Sequence, residues 1–350
     1  NGTTADNVIA SGHGSLALGY TPKATAYLST AIGASRASGT QAFAGNITDN
    51  TTSYGASGQY SLAICRQAKA TGSYSVAVGY LTTASGAYST CFGFSCSNAG
   101  YGGTVGGGRS NIINSGGSYS TIAGGRSTDI AGDYSAIAGG FSNEIAGDYS
   151  LASGYNNTVT GNYSLASGYS NQLSASYTAT LGSYCETTAA YSMAHGYFAK
   201  TRVFSSRAQA NGRFSTTGDA QGVQYILRAD TTDATATVLT ANNSSTIDNN
   251  NIISAISDTC ITFSGTIVAM QNGAQSYGSW EIKGLLVNDG GTTTLANSAI
   301  TVISNTSNWG LALSTIDTST VDGLAITVTG EASHNIRWVA NIQTSEVTYA

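Results

Sequence analysis

"AGDYSLASGYNNTVTGNYSLASGYSN", residues 146–171, spells YSLASGY twice, from Tyr149 and again from Tyr163, fourteen residues apart. Outward from that pair, the same tyrosine-led pattern begins at Tyr60, Tyr74, Tyr88, Tyr119, Tyr134, Tyr177 and Tyr191, at intervals of 14 or 15 apart from one longer gap. The gap holds a degenerate copy: "TVGGGRSN" at Thr104 aligns with "TIAGGRST" at Thr121 and puts Gly102 in the tyrosine column. Upstream, "GSLALGY" at Gly14 and "LSTAIGA" at Leu28 keep the step without the tyrosine, giving twelve copies in the first 196 residues with an irregular insertion around 46–57. A fixed period of this kind means stacked units, each too small to bury a core alone.

Each copy reads as physics. Six residues of alternating type that end at a glycine fit one short strand, because successive side chains of a strand face opposite ways. Five residues after the tyrosine column stand Gly19, Gly33, Gly79, Gly93, Gly124, Gly139, Gly154, Gly168, Gly182 and Gly196, broken only by Cys65. Glycine there is expected as a corner, where the backbone takes positive φ or passes close to its neighbour. Four residues before the tyrosine runs a second column of small or apolar residues, Ala56, Ala70, Ala84, Ile130, Ile145, Val159, Leu173 and Thr187, which predicts a second strand per copy. Two short strands and two turns in fourteen residues make one coil of a β-solenoid. Twelve coils at the ~4.8 Å inter-strand spacing predict a rod of roughly 58 Å.

The stretch "NYSLASGYSNQLSASYTATLG", residues 162–182, resembles the head repeat of the YadA-like trimeric autotransporter adhesins, a repeat also found in phage tail fibres. The resemblance covers roughly residues 8–197. It implies a left-handed parallel β-roll, packed side by side in a homotrimer. The tyrosine column and the fifteen-residue copies depart from the adhesin pattern.

Composition fits a structural filament. Charged residues are 9% against about 25% in ordinary domains, with 44 glycines and one proline. No stretch carries apolar residues at helical spacing over three turns, and no run of 18 apolar residues would cross a membrane. Five cysteines without CxxC spacing, Cys65, Cys91, Cys96, Cys185 and Cys260, predict free buried thiols rather than a zinc cage or disulfide framework.

Charge is unevenly placed: residues 1–196 carry 6 Lys/Arg and 7 Asp/Glu, residues 197–228 carry 5 and 1, and residues 229–350 carry 2 and 10. The basic segment, residues 197–224, reads as a neck in which Arg202, Arg207 and Arg213 pair between chains. Nucleic-acid binding is disfavoured, because the cations lack interleaved aromatics and the net charge is −5. From 225 to 350 the period gives way to alternating strands, "ITFSGTIVAM", "SWEIKGLLVN", "GLAITVTG" and "NIRWVANIQ", which predict an antiparallel β-sandwich, jelly-roll-like. The segments "FSTTGDAQGVQYILRADTTDATATVLT" and "GEASHNIRWVANIQTSEV" are similar to a C-terminal module of phage tail-fibre and virion structural proteins.

Chemistry-bearing motifs are sparse. No HExxH, GxSxG or phosphate loop occurs, no catalytic or cofactor residue is assigned, and no cofactor is expected. His195 is the candidate metal ligand, were a threefold axis to gather three copies. Asp133 and Asp148 stack on neighbouring rungs near the retaining-glycosidase separation, yet the column continues as Asn162 and the position is a turn. Tyr20, Tyr80, Tyr155, Tyr169 and Tyr197 form either an exposed ladder for sugar stacking or a structural ladder. Trp280, Tyr277 and Trp309 are the candidate glycan contacts in the terminal domain. The expected protein is a non-enzymatic homotrimeric phage tail fibre that presents a distal β domain to a host-surface glycan or protein receptor. Its other partners would be tail or baseplate proteins, with no membrane insertion. The alternative is a bacterial trimeric adhesin head on the outer cell surface, and the third reading a tailspike depolymerase.

Overall fold

The computed structural model describes residues 8–48, 51–273 and 276–349, so residues 49–50 of the insertion lie outside the described residues. No helix occurs among the described residues, and two compact units divide between Tyr169 and Ser170.

The first unit is a parallel β-solenoid. Each rung has one two-residue strand, such as Thr158–Val159, and one longer strand, such as Leu151–Tyr155 or Leu165–Tyr169. Rungs pair in register: Leu151 lies over Leu165, Ala152 over Ala166 and Gly154 over Gly168. Among the described residues the short strands of this sheet number fourteen, eleven in the first unit and three in the second.

The core is two facing columns. Ala56, Ala70, Ala84, Ile130, Ile145 and Val159 of the short strands face Ala63, Ala77, Cys91, Ile122, Ile137 and Ala152 of the long ones, all buried. A rung this narrow has room for alanine to isoleucine and none for an aromatic ring. Both turns close with buried polar columns. Ser135 donates its hydroxyl to Gly147 O at 2.9 Å and its N–H to Ser120 Oγ at 2.9 Å, while Asn157 donates to Asn143 Oδ1, Ser153 O and Gly168 O at 2.9–3.0 Å. In these rungs the buried polar atoms of the turns are satisfied largely by the rung next door, whereas Ser61 and Ser75 bond within their own turn and Ser89 Oγ has no partner.

Two local readings change. Tyr149 and Tyr163 do not start a strand: they sit in the turn with φ of 54° and 55°, and the strand begins two residues later. The glycine is not the corner either, since Gly154 lies inside Leu151–Tyr155, at φ 106°, where an added Cβ would strike the carbonyl of Gly168. In the fifteen-residue copies the close-packed column runs through Gly125 and Gly140, one place after the expected Gly124 and Gly139, because the extra residue forms a bulge between Ile137 and Gly139.

In the second unit the same rungs lead into antiparallel structure. Lys200–Thr201 and Arg207–Asn211 form one more rung, and Arg207–Asn211 pairs antiparallel with Ala220–Thr231. The segment expected to be a separate neck therefore includes solenoid. From there the sheet runs through Ile336–Thr348, Thr259–Gln271, Tyr277–Asp289 and Thr292–Asn305. A second sheet centres on Asp322–Thr329, flanked by Gly310–Asp317, Ala236–Val238 and Ile253–Ser254. The two sheets enclose one core, with Ile326 and Val328 meeting Ile267, Trp280 and Trp338. The antiparallel sheets expected of the C-terminal region are present. Ile336–Thr348 buries every second residue, as one covered face requires, whereas Asp322–Thr329 buries four residues in a row and Thr292–Asn305 is exposed over most of its length.

Candidate binding surfaces

With so thin a core, the solenoid carries its aromatics outside. In the first unit Tyr60, Tyr74, Tyr88, Tyr101, Tyr119, Tyr134, Tyr149 and Tyr163 form a continuous ladder with ring centroids 4.7–5.5 Å apart. Tyr149 and Tyr163 stack within 1° of parallel, and Tyr149 is 51% exposed. Tyr101 fills the place left by Gly102 and meets Tyr88 and Tyr119 edge-on. In the second unit Tyr177 stacks on Tyr191 at 4.7 Å. The left-handed turn points this side chain outward, and stacking on the next ring, not the φ itself, accounts for tyrosine there. Such backbone costs an L-residue roughly 1–2 kcal/mol, and ring stacking offsets much of it. A second column lies at the other corner, where Tyr155 stacks on Tyr169 and Phe141 at 4.8 and 5.2 Å.

The glycan candidates separate. Trp280 is 2% exposed and Trp309 4%, both packed on Trp338 with centroids 5.5–5.6 Å apart. Neither ring is presented to a ligand. Both sit on strands or turns whose covered face closes the core, where an indole supplies the largest apolar surface available. Tyr277 is exposed. Deeper in the sheet, Glu346 accepts hydrogen bonds from Tyr225 Oη, Thr344 Oγ1 and Gln221 Nε2 at 2.8–3.1 Å. Burial, and then that carboxylate, raise the Tyr225 phenol far above its ordinary range, so it stays a donor.

His195 lies on the outer face of its strand between Leu181 and Gln209, its Nδ1 buried with no hydrogen-bond partner. With Arg207, Gln209, Gln224, Gln343 and Ser345 it lines a polar groove of about 570 Å³. Among the described residues no group of three metal-binding side chains comes together within the chain. Arg202 donates to Gly218 O at 3.4 Å and Arg213 lies 3.9 Å over the Phe198 ring; within the chain none of Arg202, Arg207 or Arg213 forms an ion pair with a described residue.

The aspartate column is occupied by the backbone. Asp133 accepts the N–H of Ser118 at 2.7 Å, and Asp148 that of Asp133 at 2.8 Å. Asn162 continues the series by accepting from Asp148 N at 2.9 Å, which explains why an amide can replace the acid. The five cysteines are free, but Cys65 and Cys260 are only half-buried. Cys91 and Cys96 touch inside one rung, and that contact together with burial keeps the Cys91 thiol protonated.

The YadA head domain repeat matches residues 10–35, 56–82, 70–94 and 146–171, all of them rungs of the solenoid. The chain carries YadA head repeats. Their in-register stacking gives the parallel β-solenoid expected of them. No curated protein matches the chain. Among solved structures, the tailspike protein of Acinetobacter phage vB_ApiP_P1 aligns with a TM-score of 0.23 and 9% identity, over 95% of this chain and 74% of that one. The tailspike protein gp49 of Acinetobacter baumannii bacteriophage Fri1, a capsular polysaccharide depolymerase, aligns with 0.21 and 8%, over 95% and 69%. At those TM-scores neither likeness bears on fold or function.

Proposed function

We propose that the chain is a structural, non-enzymatic attachment protein of the phage tail-fibre kind, assembled as a homotrimer. Its YadA head repeats form a shaft, and its C-terminal β module meets a host-surface glycan or protein receptor. The observation that carries this reading is the register-locked solenoid of YadA head repeats, which makes length and stiffness rather than an enclosed cleft. Self-association is supported by the outer face of the long strands, where Leu16, Leu18, Ile32 and Phe92, and again Leu151 and Leu165 beyond Thr104, Thr121 and Ala136, are exposed apolar residues. A recurring apolar stripe on one sheet face is uncommon on a monomer and marks an interaction surface. Three weak sites on one trimer would gain by avidity.

An adhesin head on a bacterial outer surface uses the same geometry and is the second reading. The depolymerase reading is weakened because Asp133 and Asp148 already hold the neighbouring turn. Light scattering after gel filtration, combined with binding of fluorescent full chain to host cells and to a glycan array, tests the proposal. A trimer that binds without releasing reducing ends from capsule supports it. A monomer, or a chain that releases reducing ends, refutes it.

A further inference from the structure

Three consecutive rungs break the fourteen-residue rule, and their departures fall together. Each places an extra glycine, Gly107, Gly124 or Gly139, just before the close-packed glycine column, and a Cβ at any of the three would meet nothing within 4 Å. Buried amides fix the outer two of these backbones: Asn111 Nδ2 donates to Gly107 O at 2.8 Å, and Asn143 Nδ2 to Gly139 O at 3.2 Å. The result is a bare, rigid strip of backbone on the solenoid surface.

Beside that strip stand two arginines. Phe94, Arg109, Arg126 and Phe141 bridge one to the next in adjacent rungs, so the pair of cations is enclosed between two aromatic rings. The Arg109 guanidinium lies 5.2 Å from the centroid of Phe94, and that of Arg126 lies 5.4 Å from Phe141. Adjacent rungs are ~4.8 Å apart, which sets two like charges side by side. No described acid lies within 4 Å of either, and both residues are exposed. The nearest acidic column in sequence, Asp129 and Glu144, sits on the following short strands, where Asp129 accepts Asn114 Nδ2 at 2.6 Å. Tyr80 and Tyr155 extend the aromatic column at either end, and Arg66 adds a third cation over Tyr80 at 5.4 Å.

We propose that Arg109 and Arg126, with the glycine strip beside them and aromatic rings at both ends, form a site for an acidic polysaccharide. Forked guanidinium donors match a carboxylate or sulfate, and the repulsion between the two cations is relieved when an anion sits across them. The faces of Phe94 and Phe141 are taken up by the guanidinium on one side and by Tyr80 or Tyr155 on the other, so what the flanking rings offer the sugars is apolar edge rather than face. A polynucleotide suits the surface less well, because the chain is net negative and only two or three cations line up. This deepens the attachment reading by naming the charge class of the glycan, and rests on that reading only for which surface bears it.

The test is calorimetric titration of the full chain with oligogalacturonate, maltohexaose and an oligothymidylate of matched length, at low and at physiological salt. Oligogalacturonate is expected to bind, more tightly at low salt, with maltohexaose silent and the oligothymidylate weaker. The R109Q/R126Q double variant should lose about tenfold in affinity or more, and R109K/R126K should fall between, since lysine keeps charge without the fork. An unchanged β-sheet spectrum and melting temperature show that the variants fold. Equal affinity in wild type and the double variant, equal binding of oligothymidylate, or no oligogalacturonate binding would overturn the site. Host-cell attachment that persists in the double variant while oligogalacturonate binding is lost removes this site from attachment without removing attachment itself.

Discussion

The two kinds of β-structure in this chain treat aromatic residues in opposite ways. The solenoid keeps alanine, isoleucine and valine inside and stacks tyrosines outside; the antiparallel sheets bury three tryptophans on one another and leave Tyr277 exposed. The difference follows from thickness. Two strands separated by tight turns leave a core one small side chain wide, whereas two sheets packed face to face are ~10 Å apart and accept an indole. Rings excluded from the solenoid still bury area, by stacking on the next rung.

That contrast predicts where each part breaks. Trp338→Ala removes the indole at the centre of the three-ring cluster, together with its hydrogen bond to Thr231 Oγ1 at 3.0 Å. It should destabilise by about 4 kcal/mol in denaturant melts. Gly154→Val forces a side chain into positive φ and into the carbonyl of Gly168, and should cost about 3 kcal/mol, read as early loss of the parallel-sheet spectrum. If Gly154→Val is silent, the close-packed glycine column is not what sets rung spacing. Asn157→Ala takes the amide donor from the half-buried carbonyls of Ser153 and Gly168 and from the buried Asn143 Oδ1, and should cost about 2 kcal/mol in the same melt. Tyr149→Ala, which touches only the outer ladder, should cost about 1 kcal/mol, and Tyr149→Asn less, because asparagine tolerates the left-handed turn. A Tyr149→Ala effect as large as that at Trp338 would mean the ladder, not the thin core, holds the solenoid.

Much of this was legible in the sequence. The period, the two inward columns and the glycine column follow from spacing, because stacking forces the same side chain into the same environment on every rung. The conformation at each column was less legible. Tyr149 alternates with its neighbours as a strand residue would, and only its positive φ places it in the turn. The bulge at Gly139 shifted the column by one, since a fifteen-residue copy does not say where its extra residue lies. Basic residues near 200 looked like a neck because charge hid the alternation in Arg207–Asn211 that makes it a rung. Of the candidate glycan contacts, Trp280 and Trp309 were chosen for ring chemistry, but strand alternation alone did not show which face the second sheet would cover. The Arg109 and Arg126 pair leaves a signal, GGRS repeated in two irregular copies, but spacing alone shows only that the two copies align.

The central claim is that fourteen residues are one circumference, so that matching residues of successive copies rise by one strand spacing. Lys69 and Thr158 lie six in-register pairings apart on the short-strand sheet of the first unit. Spin labels at these two positions, with Cys65 and Cys260 replaced by serine and labelled chain diluted in unlabelled, should give by double electron–electron resonance a narrow distance distribution centred at about 29 Å. A broad distribution, or a mean that does not grow by about one strand spacing with each added copy, would contradict the account.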